Sequence, residues 1–305
     1  MLTRINFLTA GESHGRGLLG IIDGIPSGLE ISKKYIDVQL KRRQMGHGRG
    51  GRMKIENDAV EIWSGVRDGK TIASPIGLIV KNKDWENWKN KMSVEKMGKT
   101  PRKVTLPRPG HADLAGVEKY GFDDIRNVLE RSSARETTMR VALASVCRKL
   151  LGDIGLHVAS RVVQIHDIVD SSSIPSNFKI QKLNQLADKS PVRCLNGNIE
   201  KEMIQVIDHA KSQGDSVGGV FEVIATGMPH GLGSYTQWNK KLQAKITSLM
   251  MSVNAYKAIE IGSGFNSGAK FGSEIHDEIE WNGKKYTRSS NNAGGIEGGM
   301  SNTMP

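Results

Sequence analysis

Aromatic residues make up only 5% of the 305-residue sequence. A basic protein that reads RNA stacks bases on aromatic side chains beside its cationic patch. Here the densest basic stretch, residues 41–52, contains no aromatic residue, which weighs against a nucleic-acid partner. Cysteine is as scarce: Cys147 and Cys194 stand at a spacing that fits no zinc or redox motif. Cys147 lies in an apolar helical pattern and reads as a core residue. So few thiols fit a reducing compartment. No stretch approaches the roughly 20 apolar residues of a membrane span. The opening MLTRINFLTAGES lacks the apolar core of a secretory signal. These absences point to a cytoplasmic protein with no membrane partner. HExxH, paired His–carboxylate patterns and a Walker A loop are all missing, so no metal centre or P-loop is expected.

Positive charge and glycine are plentiful. The net charge is +11 and there are 35 glycines. Such an excess of charge suits a nucleic acid, an anionic membrane or an anionic small molecule. The shortage of aromatics favours the last.

Apolar periodicity predicts strands at residues 5–10, 18–22, 59–63, 76–80, 156–165, 219–226 and 276–281. Helices are expected from Ser32 through Arg43 to a stop at Gly46, from Ser132 or Ser133 to near Gly152, over 199–213 and over 238–257. Ser133 with Glu136 reads as a capping box. The helices at 133–151 and 238–257 carry apolar sides and should be buried. Residues 81–103 are highly charged and read as an exposed excursion carrying Trp85 and Trp88. Pro107 and Pro109 keep LPRPGHAD out of helix. The elements do not alternate as a βαβ series, so one α+β domain is favoured over two.

Four segments can carry chemistry. In GESHG, glycines on both sides of His14 let a ligand approach, and a histidine there can move a proton near neutral pH; an exposed turn is the plainer alternative. Ser13 is no hydrolase nucleophile, because no strand–elbow–helix pattern follows it. GHGRGG, residues 46–51, formally contains GxGxxG, but it follows a basic helix end instead of a strand. With Arg43, Arg49 and Arg52 it suits an anion-binding loop, or simply a solvated basic one. In LPRPGHAD, Arg108 can grip a carboxylate or phosphate while His111 handles a proton, unless the segment is only a turn. In Arg131-Ser132-Ser133-Ala134-Arg135, two arginines and two serines meet at a helix start, where free amides already favour an anion. Capping by Ser133 accounts for the serine but not for the arginines.

Taken together these segments resemble a known family. GESHGRGLLGIIDGIP at residues 11–26, LPRPGHAD at 106–113, ERSSARETTMRVALASV at 130–146 and AGGIEGGMSNTMP at 293–305 look like the signatures of chorismate synthase, in the same order and spacing. The resemblance covers essentially the whole chain. It implies a β-α-β sandwich with helices between two antiparallel sheets, one domain over residues 1–305, and usually a homotetramer. It implies a carbon–oxygen lyase that converts 5-enolpyruvylshikimate 3-phosphate to chorismate and phosphate by anti 1,4-elimination with reduced FMN, the last step of the shikimate pathway and the entry to aromatic amino acid biosynthesis. By the same resemblance, His14 protonates the departing phosphate and His111 acts near the flavin. Arg43, Arg49, Arg108 and Arg135 line the substrate pocket, with Arg52 and Ser13 beside them. Arg43 and Arg49 also match positions associated with NADPH. Arg131, Ser132, Ser133, Asn254, Ala255, Gly298 and Gly299 would meet the flavin. Members continue beyond the GGMSNTMP segment into a tail with a Lys-Pro-Thr stretch, an Arg and an Asp, so this chain is expected to lack that tail.

Overall fold

In Gly17–Asp23, Leu18 and Ile22 are buried while Leu19 and Ile21 are exposed. That period of two makes a strand with one covered face. The computed structural model, which describes residues 4–98, 101–174 and 178–305, shows this strand as β2. Strand β1 is Asn6–Ala10 and β3 is Val60–Ile62. Strands β4 (Val66–Arg67) and β5 (Lys70–Thr71) form a small hairpin, and β6 is Ile76–Lys81. One antiparallel sheet runs in the order β1-β2-β6-β3.

Helix α1 (Lys33–Gln44) starts where the Ser32 side chain accepts from the Tyr35 N–H. Its surface is largely charged, and only Ile36 and Leu40 are buried. At about 1.5–3 kcal/mol each, those two outweigh the few tenths that separate helix propensities. Helices α2 (Trp85–Met92), α3 (Asp113–Tyr120) and α4 (Arg126–Arg131) follow, and then α5 (Thr137–Asp153). Met139, Leu143 and Val146 of α5 close with Ile36 and Leu40 on Leu18, Ile22, Val60, Ile76, Leu78 and Val80. Gly20 makes this approach possible: a Cβ there would stand 2.6 Å from Met139 and 2.9 Å from Leu143. Cys147 packs at the edge of this core, and burial pushes its thiol pKa up.

Contacts divide the described residues into two compact units, one within residues 4–150 and one within residues 151–305. The second contains β7 (His157–Ile165), β8 (Ile168–Val169) and β9 (Gly219–Thr226), an antiparallel sheet in the order β8-β7-β9. Helices α6 (Gln181–Ala187) and α7 (Gly197–Ser212) supply Leu183 and Met203 to its two small cores. Helix α8 is Leu242–Met251, and strands β10 (Ile279–Trp281), β11 (Tyr286–Arg288), β12 (Ile296–Glu297) and β13 (Met300–Ser301) complete the unit. The fold is α+β with antiparallel sheets.

Three expectations are corrected. The capping box does not form: Ser133 accepts from the Arg135 N–H, while Glu136 is drawn to Thr9 Oγ1 (2.8 Å) and Arg140 Nε (2.9 Å). A 3₁₀ turn, Ala134–Glu136, therefore precedes α5. The helix expected over 238–257 runs only from Leu242 to Met251 and has no buried residue; it could not reach 257, since Ala255 adopts φ +69°, which a right-handed helix cannot contain. The excursion at 81–103 is not simply exposed: Asn82 and Asp84 are buried and α2 forms within it. Residues 99–100 of that segment lie outside the described residues.

Candidate active site

His14 sits on the turn between β1 and β2. Gly11 opens that turn at φ +100°, where a Cβ would stand 2.4 Å from the Gly17 carbonyl. Only glycine lets the loop fold back so closely. The Asn82 amide then ties the turn down, donating to the Gly15 carbonyl at 2.9 Å and to that of Glu12 at 3.2 Å. Glu130, near the end of α4, reaches the imidazole: its Oε1 lies 2.8 Å from His14 Nδ1, and its Oε2 accepts from the His14 backbone N–H at 2.7 Å. Trp88 of α2 stacks on the ring, with centroids 3.9 Å apart at 21°. The Trp88 indole N–H donates to Asp84 Oδ2 (3.2 Å), which lies 3.8 Å from His14 Nε2. The Asn87 amide holds the Asp84 carboxyl below the usual carboxylate range, so it stays ionised near neutral pH.

Beside His14 lies a nest of arginines. Arg52 donates to Ser13 Oγ at 2.6 Å and to the Ser13 carbonyl, and Ser13 Oγ is 3.1 Å from Ser133 Oγ. Glu56 holds Arg52 at 3.0 Å and also accepts from the backbone N–H groups of Lys83 (3.0 Å) and Asp84 (3.5 Å). Arg43 donates to Thr137 Oγ1 and to the Ala134 carbonyl. Burial lowers its pKa to about 10, with the charges of Arg135, Arg49 and Arg52 acting the same way against Asp58. Cations crowded so closely favour an anion among them.

Arg135 stands behind this nest. Its guanidinium is buried against Asp58 Oδ1 (2.6 Å) and Asn82 Oδ1 (3.0 Å), while its Nη2 and Asp58 Oδ2 have no hydrogen-bond partner. That Asp58 oxygen faces Arg43 Nη1 at 3.7 Å. Arg49 is exposed and donates to the Met45 carbonyl.

A second histidine is held in the same manner. The carboxylate of Asp113, at the start of α3, is fully buried. It accepts from Arg108 Nε (2.8 Å) and Nη2 (3.1 Å), a two-pronged grip, and lies 2.6 Å from His111 Nδ1. The Arg108 hydrogen bonds hold its carboxyl far below the usual range, against the opposing effect of burial. Arg108 Nη2 is almost equidistant from the two ring nitrogens of His111, at 3.1 and 3.2 Å, so it lies across the ring. Glu130 is within electrostatic reach of Arg108.

The structure thus brings His14, Ser13, Arg43, Arg52 and Ser133 together. Arg131 bonds to the carbonyls of Thr9 (2.8 Å) and Gly11 (3.3 Å), tying α4 to β1, and the Ser132 hydroxyl donates to the Val128 carbonyl. Asn254, Ala255, Gly298 and Gly299 belong to the other compact unit. Sequence reasoning missed Glu130, Asp84, Trp88, Asn82, Glu56 and Asp58. Only Asp84 and Trp88, one helical turn apart, carried a local signal, and nothing in it named His14.

A carboxylate-held histidine beside an arginine nest, on an α+β frame, is an arrangement suited to an enzyme of small molecules. The comparisons with known proteins carry this further. The family model for chorismate synthase matches residues 5–305. Chorismate synthases of Enterococcus faecalis and Listeria welshimeri are 52% and 50% identical, each over 99% of this chain and 78% of their own length. Chorismate synthase 2 of Bacillus cereus is 51% identical over the same shares. A crystal structure of chorismate synthase superposes with a TM-score of 0.84 at 42% identity, covering all of this chain and 83% of that one. The chain belongs to the chorismate synthase family, enzymes of the last step of the shikimate pathway. Among the described residues, no helix is long and apolar enough to cross a membrane.

Proposed function

We propose that this enzyme converts 5-enolpyruvylshikimate 3-phosphate to chorismate and phosphate by anti 1,4-elimination with reduced FMN. The observation that carries the reading is His14, clamped by Glu130 beside the nest of Arg43, Arg52 and Ser13. A phosphate and two carboxylates are the anions such a nest favours. The residues present also fit a flavin. Gly298 takes φ +58° with nothing within 4 Å of where a Cβ would stand, so its backbone can lie against a flat ring. When bound, reduced FMN would supply transient electron density to the allylic system.

The chain's own residues do the rest. Arg43 and Arg52 neutralise the phosphate, with Ser13 as a hydroxyl partner. His14 gives the proton on Nε2 to the departing phosphate oxygen. His111, held at Nδ1 by Asp113, keeps its Nε2 for a proton near the flavin. Arg108 supports that ring, and Arg135 keeps Asp58 and thereby Arg43 in place.

Residues 1–305 act as one chorismate synthase domain, in a cytoplasmic homotetramer. Free Cys147 and Cys194 support a reducing compartment. Leu8, Leu19, Ile21 and Trp63, exposed on the outer face of the β1-β2-β6-β3 sheet, support assembly.

The test is anaerobic mixing of the protein with reduced FMN and 5-enolpyruvylshikimate 3-phosphate. Chorismate and inorganic phosphate should appear in equal amounts, and oxidised FMN should give neither. Absence of chorismate under reducing conditions would sink the reading.

A further inference from the structure

Glu130 is among the most deeply buried side chains of the chain, at 1% exposure. A carboxylate taken so far from water has to be compensated by hydrogen bonds or charge. Among the described residues, its carboxylate is hydrogen-bonded to His14 alone: the backbone N–H at 2.7 Å, and ring Nδ1 at 2.8 and 3.0 Å. Among the described residues no lysine or arginine is hydrogen-bonded to it, and Arg108 reaches it only electrostatically. Glu130 also meets the neighbouring residue through its backbone, since its carbonyl accepts from the Ser13 N–H at 2.9 Å. The His14 turn is therefore registered on the end of α4 by the main chain and oriented there by one buried carboxylate.

We infer that Glu130 is the positioning residue for His14: it fixes the neutral ring in the Nδ1–H tautomer and leaves Nε2 as the only nitrogen that exchanges a proton with the substrate. The inference rests on the role proposed above for His14 as proton donor, and it specifies the atom. An ionised carboxylate only accepts hydrogen bonds, so Nδ1 has to carry a hydrogen in every state of the ring. In the imidazolium both nitrogens carry one. The Nε2–H bond breaks, its proton passes to the departing phosphate oxygen, and the pair left on Nε2 completes a neutral ring still bonded through Nδ1–H. Trp88 stacks on this ring at 3.9 Å and stops it from turning about its own axis. Asp84, 3.8 Å from Nε2, marks the direction in which that nitrogen points.

Glu130→Gln discriminates sharply. The His14 backbone N–H is an obligatory donor, so the glutamine oxygen pairs there. The glutamine NH₂ is then turned to Nδ1, which has to become an acceptor, and the hydrogen moves to Nε2. A wrong tautomer of this kind lowers kcat by on the order of 10⁴-fold in a serine protease whose histidine loses its carboxylate partner. The expectation here is a fall in kcat of about 10²–10⁴-fold with KM within about threefold.

The decisive measurement is ¹⁵N NMR of histidine-labelled protein without substrate, at a pH where His14 is neutral, with its signals assigned by their loss in His14→Gln. The wild-type ring should show a protonated Nδ1 and an unprotonated Nε2, and Glu130→Gln should reverse the two. A wild-type ring protonated at Nε2 overturns the inference, whether or not the variant folds. So does a variant with unchanged tautomer and unchanged kcat. Because the tautomer is read without turnover, failure of the proposed reaction leaves this result standing, and a reversed tautomer with unchanged kcat would remove His14 from the reaction instead.

Discussion

Arg135 shows how a residue can belong to a site without facing the ligand. Its guanidinium is held by Asp58 and Asn82, with Glu56 3.6 Å away. Arg135→Met should leave the buried Asp58 without its hydrogen-bonded cation and cost about 3–5 kcal/mol, read as a fall in the urea midpoint. Asp113 is the comparable case in the second histidine cluster. Arg108 holds its folded pKa far below the unfolded value of about 3.9. Its contribution is therefore complete above that pH and fades as the pH falls towards the folded value. Asp113→Asn should cost about 1–3 kcal/mol at neutral pH. Denaturation curves of variant and wild type should converge as the solution is acidified below the usual carboxylate range. Motifs made His14, Ser13 and Arg52 legible in the sequence because glycine and arginine flank them closely. Glu130 was not legible, because it meets His14 from 116 residues away and looks locally like any acidic residue on a short helix.

At the scale of elements, strong periodicity was readable and backbone exceptions were not. The alternation in β2 and β6 and the apolar stripe of α5 gave their positions closely, since each has one face in the core. The apolar pattern over 238–257 ran on to Val253, yet the helix stops at Met251 and the chain turns left-handed at Ala255. The adjacent glycines of the β12–β13 turn separate two reasons for having no side chain. Gly298 needs only its positive φ, whereas a Cβ at Gly299 would meet the Lys241 side chain at 2.8 Å and the Ser234 carbonyl at 3.1 Å. Gly298→Ala should cost about 1–2 kcal/mol of stability and weaken FMN binding. Gly299→Ala should lower the melting temperature by more. Calorimetry and flavin titration of the two variants check this.

At the scale of the whole molecule, a charge of +11 pointed to an anion, and Arg49 and Arg52 lie within electrostatic reach of Arg43. The proposed homotetramer is testable through the apolar outer face of the first sheet. Leu8→Lys with Ile21→Lys should reduce the sedimentation mass while leaving the circular dichroism unchanged, since both side chains are exposed in the single chain. Glu56 has a longer reach than its size suggests. One carboxylate holds Arg52 of the anion nest and the amides of Lys83 and Asp84 at the entrance to α2, the helix that presents Trp88 to His14. The arginine grip and the entrance to α2 should therefore open as a single cooperative unit in hydrogen exchange. An anion that pins Arg52 then slows exchange at the Lys83 amide without touching it, and occupancy of the phosphate site firms the wall on which the proton-carrying imidazole rests.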